Sequence, residues 1–213
     1  MFDATRLFVL RHGQTAWNAE ARIQGQLDIP LDETGRWQAE RLADALAAAL
    51  TDEPLAAIYS SDLQRAWATA QPLAARTGAP LIADQRLRER GFGSFEGRTY
   101  AEIDAAQPDD ALRWRQREPG FAPGGGERLI DFYPRSVDAV LDLAARHPGQ
   151  VVAIVAHGGV LDCLYRAATG TALEAPRSWP VANATVNRLL FNGQGLSLVA
   201  WGDSAHLDAP AEF

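Results

Sequence analysis

Apolar positions along the chain fall into two kinds of run. The first kind is short and unbroken. Leu7-Phe8-Val9-Leu10 and Val151-Val152-Ala153-Ile154-Val155-Ala156 have the length and composition of buried strands. Each stops on a histidine followed by glycine, Arg11-His12-Gly13 in one case and His157-Gly158-Gly159 in the other. The glycine marks the turn that leaves the strand. Residues 55–59 predict a second parallel strand and residues 80–83 a further short one. Residues 186–191 and 196–201 flank Asn192-Gly193-Gln194-Gly195, a hairpin signal.

The second kind of run repeats every three or four residues. Thr34 is placed to cap a helix reaching about Leu50, with Leu42, Leu46 and Leu50 on one face. Ser61-Asp62-Leu63-Gln64 has the Ser-x-x-Gln form of a capping box, so a helix is predicted to start there. Its stripe is Leu63, Ala66, Trp67, Ala70 and Ala74. Arg65 lies in the first turn, off that stripe, and Pro72 is expected to kink the helix. Residues 127–146 return to helical spacing through Ile130, Val137, Val140 and Ala144, with a bend at Pro134. Residues 160–168 form another helix, stopped near Gly170. Residues 27–31 are extended, because Pro30 disfavours helix at Ile29. Residues 87–97 form a glycine-rich loop.

Alternating strands and helices imply an α/β fold of three layers, α/β/α, around a mostly parallel central sheet. The whole chain, 1–213, reads as a single domain. Residues 98–126, weakly helical and ending in Pro123-Gly124-Gly125-Gly126, are expected to be a lid-like insertion. Residues 203–213 have no period and are expected to be a mobile tail. In open α/β sheets ligands sit beyond the carboxyl ends of the strands. Two neighbouring strands that both end in histidine would bring His12 and His157 to one crevice.

Charge narrows the partners. A net charge of -7 and a pI near 5.1 argue against broad affinity for nucleic acid or anionic membranes. The single cysteine, Cys163, allows no intrachain disulfide and no cysteine-cluster metal site. No apolar segment approaches the ~18 residues of a membrane span, and residues 1–6 show no signal pattern, so a cytoplasmic location is expected. An exposed edge strand would allow a homodimer.

Arg11, His12, Arg65 and His157 all stand at predicted strand or helix ends, and Glu89 sits on a loop able to close over them. Two guanidiniums and two imidazoles at one spot need an anion, and a phosphoryl group fits the arginine forks. Backbone N–H groups of Gly13, Gly158 and Gly159 are further candidate donors. A neutral imidazole is a competent nucleophile toward phosphorus, and the second histidine suits stabilisation of the equatorial oxygens. A loop carboxyl group is a reasonable proton donor to the leaving oxygen. Arg113, Arg115 and Arg117 are either a grip for an acidic substrate or a solvated helix face. His147 suits a helix C-terminus, and Trp17, Trp37 and Trp67 suit packing.

At these residues the sequence resembles the histidine phosphatase superfamily, the phosphoglycerate mutase-like proteins. Arg11-His12-Gly13-Gln14-Thr15 with Trp17-Asn18, then Gln24-Gly25 and Asp28-Ile29-Pro30-Leu31, match its first signature. Ser60-Ser61-Asp62-Leu63 with Arg65-Ala66 and Thr69-Ala70, Leu87-Arg88-Glu89 with Phe92-Gly93, and Ala156-His157-Gly158-Gly159 follow in the family's order. The resemblance implies a mostly parallel sheet with one antiparallel strand. It implies that His12 is the phosphorylated nucleophile, that Arg11, Arg65 and His157 hold the phosphoryl group, and that Glu89 is the proton donor. It implies that Asn18, Gln24 and Gly25 line the phosphate pocket, and that no metal or other cofactor is needed. The implied activity is hydrolysis of small phosphorylated metabolites, because Arg90-Gly91-Phe92-Gly93 after Glu89 has the phosphatase-like form. The alternatives are a 2,3-bisphosphoglycerate-dependent phosphoglycerate mutase, a non-catalytic phosphate-ligand protein, and a metal hydrolase.

Overall fold

The run 7–10 is the middle of strand β1 (Thr5–Arg11) in the computed structural model, which describes residues 3–208. The other strands are β2 (Leu55–Ser60), β3 (Leu81–Ala83), β4 (Val151–Ala156), β5 (Val186–Phe191) and β6 (Leu196–Asp203). They form one sheet in the order β3-β2-β4-β1-β5-β6. β1 pairs in parallel with β4, and β4 with β2. β5 is antiparallel to both β1 and β6, so it alone runs against the rest. Every residue of β4 is buried, which explains why its sequence is apolar without alternation.

The helices are α1 (Ala16–Ala19), α2 (Glu33–Ala49), α3 (Gln64–Thr77), α4 (Tyr100–Ala106), α5 (Pro108–Arg115), α6 (Leu129–Ala145) and α7 (Gly158–Thr169). Successive side chains of a strand point to opposite faces, and β1 divides accordingly. Leu10 packs with Leu42 and Leu46 of α2 and Ala66, Ala70 and Leu73 of α3. Leu7 and Val9 pack with Val140 and Leu143 of α6 and Leu161 and Leu164 of α7. These two cores make the three layers. A smaller third core joins Ile103 of α4 and Ala111 of α5 to Ile23 and Phe95, and anchors residues 98–126 beside the strand ends.

Three local expectations are corrected. Asp32, not Thr34, caps α2, accepting the Gly35 N–H at 2.7 Å. The Ser61 capping box does not form, and Leu63 is the N-cap of α3. The Gln64 N–H goes instead to Asp28 Oδ1 at 2.7 Å, and the Gln64 side chain also turns to Asp28. A carboxylate from the 27–31 loop thus replaces the local cap. On α3 the buried face is Arg65, Ala66, Thr69, Ala70 and Leu73, so Arg65 lies within it, while Trp67 and Ala74 are only partly buried. Both α3 and α6 continue through their prolines. Of the 203–213 tail, the described part is tied down: Arg41 Nε donates to the His206 carbonyl, and the His206 ring bonds the Ala184 carbonyl. Residues 209–213 lie outside the described residues.

Candidate active site

The β1–β4 register runs from Arg6 opposite Val151 to Arg11 opposite Ala156. His12 and His157 are therefore the next residue on each of two adjacent parallel strands. Their ring centroids lie 5.2 Å apart, and both side chains are buried. His12 Nδ1 is 2.7 Å from the Gly13 carbonyl oxygen, so Nδ1 carries the hydrogen and Nε2 keeps its lone pair. The His12 carbonyl is held by Asn183 Nδ2 at 3.0 Å, and the same amide reaches the Gly13 carbonyl and Asn18 Oδ1.

Arg65 projects from the first turn of α3 and is 1% exposed. It donates to the carbonyls of Gly25 at 2.7 Å and Leu27 at 2.8 Å. Arg11 donates to the Val181 carbonyl. The Nε of each arginine and both ring nitrogens of His157 are buried and have no hydrogen-bond partner among the described residues. Buried polar groups are normally satisfied, so four unpartnered atoms on three side chains around His12 describe a cradle for an anion. Gln24 Oε1 is also buried without a partner.

Burial, reinforced by the charges of Arg65 and Arg11, holds the His12 imidazole well below its ordinary pKa. Burial and the Arg65 charge do the same to His157. Both rings are neutral at pH 7. Burial lowers the Arg11 guanidinium to about 10, against the opposing pull of Glu89, and it stays charged at neutral pH.

Glu89 follows the short 3-10 turn Gln85–Leu87. Its Oε2 accepts the Gly159 N–H at 3.0 Å and its Oε1 accepts the Arg90 N–H at 2.8 Å. This approach requires glycine at 159, where a Cβ would stand 2.2 Å from Glu89 Oε1. Gly13 is equally constrained, since a Cβ there would meet the Gly35 carbonyl oxygen of α2 at 2.4 Å.

Arg11, His12, Asn18, Gln24, Gly25, Arg65 and Glu89 all line one cavity of about 590 Å³ at the carboxyl ends of the strands. His157 packs against His12. All eight expected site residues are thus brought together. The proposed backbone donors fare differently. The Gly13 N–H is spent on Thr69 Oγ1 and the Gly159 N–H on Glu89, leaving Gly158, which lines the cavity. Of Arg113, Arg115 and Arg117, the last two line the cavity, while Arg113 pairs with Glu118 and stacks on Phe121. Trp17 lines the cavity too, rather than serving only as packing. The His147 backbone N–H closes the end of α6 on the Ala144 carbonyl, while its ring bonds Tyr59 and Gln150.

Sequence reasoning missed Asn183 and Arg177. Both lie in an irregular stretch before β5, where asparagine ordinarily signals only a turn. Thr69 was part of a recognised motif but had no assigned task. Among the described residues no group of three or more His, Cys, Asp or Glu is placed to hold a metal ion, and no helix is long and apolar enough to cross a membrane. Cys163 is buried, and burial pushes its thiol pKa up.

Comparison with known proteins agrees with this geometry. A model of the histidine phosphatase superfamily (branch 1) matches residues 7–204. Phosphoglycerate mutase-like protein 4 of Arabidopsis thaliana is 37% identical over 209 residues, covering 97% of this chain and 88% of that protein. Glucosyl-3-phosphoglycerate phosphatase of Mycobacterium tuberculosis is 42% identical over 193 residues, covering 86% and 82%. The solved structure of YhfR from Bacillus stearothermophilus superposes with a TM-score of 0.87 at 37% identity, covering 96% of this chain and all of that one. With the strand order, the paired histidines and the matched signatures in agreement, the chain belongs to the histidine phosphatase superfamily, as a phosphatase-type member.

Proposed function

We propose that this protein is a metal-independent phosphomonoesterase acting on small phosphorylated metabolites through a phosphohistidine at His12. The observation that carries the reading is the state of His12. Its Nδ1 is committed to the Gly13 carbonyl, and the ring lies against His157 beside two guanidiniums; among the described residues neither its Nε2 nor either guanidinium Nε has a hydrogen-bond partner.

His12 Nε2 attacks phosphorus, forming the P–N bond as the ester P–O bond breaks. Arg11, Arg65 and His157 hold the equatorial oxygens as charge develops on them. Asn18, Gln24 and Gly25 complete the pocket wall. The leaving oxygen takes a proton from Glu89. Water then attacks the phosphohistidine while Glu89 accepts its proton, the P–N bond breaks, and inorganic phosphate leaves. We read residues 98–126 as a lid over this cavity within a single domain, because Tyr100, Trp114, Arg115 and Arg117 line it.

The test is p-nitrophenyl phosphate hydrolysis in EDTA with wild type and His12→Ala, together with an alkaline denaturing quench for a phosphoenzyme that is stable in base and lost on acid treatment. Removing the nucleophile is expected to lower kcat by at least ~10³-fold, the order seen when a covalent catalyst is deleted. Undiminished turnover by the variant, or wild-type activity abolished by EDTA and restored by zinc, overturns the reading. Phosphate binding with no turnover and no phosphoenzyme would leave a binding protein. The likeness to a protein named phosphoglycerate mutase-like favours a second reading, a mutase. Exchange between 3- and 2-phosphoglycerate faster than phosphate release would establish it.

A further inference from the structure

Arg135 lies on α6 and does not line the cavity, yet every N–H group of its guanidinium is committed. Nε and Nη2 each donate to the Glu127 carboxylate at 2.8 Å, one to either oxygen. Nη1 donates to the carbonyls of Arg86 at 2.7 Å and Arg88 at 3.0 Å, and Nη2 donates to the carbonyl of Glu89 at 3.3 Å. Three carbonyls of the segment 86–89 thus converge on one guanidinium. The last belongs to the residue read above as the proton donor.

The loop depends on this hold. Residues 88–92 follow the 3-10 turn Gln85–Leu87 and belong to no helix or strand. Among the described residues the Arg86 and Arg88 carbonyls have no other hydrogen-bond donor. The Glu89 carbonyl has one besides Arg135, the Gln26 side chain at 3.2 Å. Glu127 adds bonds on the far side of Glu89. Its N–H donates to the Gly91 carbonyl at 2.8 Å, and its carbonyl accepts Arg90 Nε at 2.7 Å. The Arg135 guanidinium also stacks on Phe132, 4.9 Å from the ring centroid, and Phe132 is buried. Helix, ring and carboxylate therefore fix the guanidinium plane. Glu127 answers the charge of Arg135, so its action on the loop is one of shape. A planar fork with five donors serves all these acceptors at once, whereas an ammonium has three donors on one atom.

We propose that Arg135, locked by Glu127, is a positioning residue that holds the main chain of Glu89 so that its carboxyl group meets the leaving oxygen and then the attacking water. The inference rests on the reading of Glu89 as the proton donor and adds the residues that place it. The Glu89 carboxylate is oriented by the N–H groups of Gly159 and Arg90, and its backbone is set by Arg135. Neither Arg135 nor Glu127 lines the cavity, so both act through Glu89.

The test compares kcat/KM for ethyl phosphate, whose leaving oxygen needs a proton, with kcat/KM for p-nitrophenyl phosphate, whose leaving group does not. In Arg135→Gln the ethyl phosphate value is expected to fall about 10- to 100-fold, the scale of a catalytic group misplaced by about 1 Å. The p-nitrophenyl phosphate value should fall far less. Arg135→Lys keeps the charge but not the fork, and should recover little of the loss. Glu127→Gln loosens the lock and should give the same pattern to a smaller degree. These two variants carry the same comparison if Arg135→Gln does not fold. With p-nitrophenyl phosphate, Arg135→Gln should also hold a larger fraction of the enzyme as phosphohistidine at steady state, because a displaced Glu89 is slow to take the proton of water. A loss equal on both substrates, or one that Arg135→Lys restores, overturns the proposal and makes Arg135 a residue of stability alone. Glu89→Gln separates the two readings. If it shows the leaving-group effect and the Arg135 variants do not, only the positioning role falls. If Glu89→Gln itself affects both substrates alike, the proton-donor reading falls and the positioning role with it.

Discussion

Arg65 on the cavity floor and Arg115 on its rim have the same side chain but sit in opposite settings. Arg65 is 1% exposed, and its N–H groups go to the carbonyls of Gly25 and Leu27. Arg115 is exposed and paired with Asp104. A carbonyl orients a guanidinium and leaves its charge whole, whereas a carboxylate cancels it. The floor therefore keeps net positive charge in a water-poor place, where it acts strongly on an incoming anion. The rim spends most of its charge on itself, Arg115 of α5 tying down Asp104 of α4. Chemistry is concentrated in the floor.

The largest expected effect lies where floor meets loop. Glu89→Gln keeps the shape and removes the proton donor. With an alkyl phosphate, whose leaving oxygen needs a proton, kcat should fall about 10²- to 10⁴-fold, the usual range for general acid catalysis. With p-nitrophenyl phosphate the fall should be much smaller, because that leaving group departs as a stable anion. Equal losses on both substrates would remove Glu89 from the proton-transfer role. Gly159→Ala probes the same contact by geometry, since its Cβ would displace the Glu89 carboxylate.

Next is Asn183, which joins the floor to the irregular stretch that leads into β5. Its amide serves the carbonyls of both His12 and Gly13. Asn183→Ala leaves those acceptors short and should cost about 1–2 kcal/mol of stability, as for other lost hydrogen bonds in partly buried sites. Urea unfolding reads the cost directly. If stability is unchanged while kcat falls, Asn183 acts on catalysis alone, and the floor is stiffer than its hydrogen bonds suggest.

The floor was legible in the sequence because its parts are local. Two apolar runs, each ending in His-Gly, need only parallel pairing to bring His12 and His157 together, and the β1–β4 register does that. Glu89, Arg11 and Arg65 were marked by motif. What stayed hidden depends on distant contacts. Asp28 captures the first turn of α3 across 36 positions, so the Ser61 box was a false signal. Arg65 was read as lying off the buried stripe because periodicity assigns arginine to the surface. Its burial depends on carbonyls 38 and 40 positions away in the chain. Arg177 and Asn183 occupy an irregular stretch, where no pattern distinguishes a site residue from a turn.

A pH series separates floor from rim by stability. His12 and His157 are held neutral by burial and by Arg65. In the unfolded chain each imidazole takes up a proton as the pH falls through about 6.5. Between that value and the lower folded value the unfolded state binds more protons, so stability rises with pH there. The contribution is whole above about 6.5 and is lost progressively below it. In phosphate-free buffer, Tm should be level above pH 7 and should decline from about 6.5 downward. His157→Asn should flatten part of that decline. A Tm that stays level to pH 5 would mean the rings are not held neutral by the fold.

The smallest effect should come from the rim, and its smallness is informative. Arg115 lines the cavity, as Arg65 does, but its charge is already answered by Asp104. Exposed pairs of this kind contribute about 0–1 kcal/mol. Arg115→Ala should therefore leave stability nearly unchanged. It should also leave kcat/KM within about threefold, because removing a paired charge alters the cavity's field little. Cavity position alone would predict equal effects for Arg115 and Arg65. Pairing predicts that only Arg65→Gln lowers kcat/KM sharply. If the two variants behave alike, then the partner of a cavity arginine does not determine its function, and the contrast between floor and rim falls.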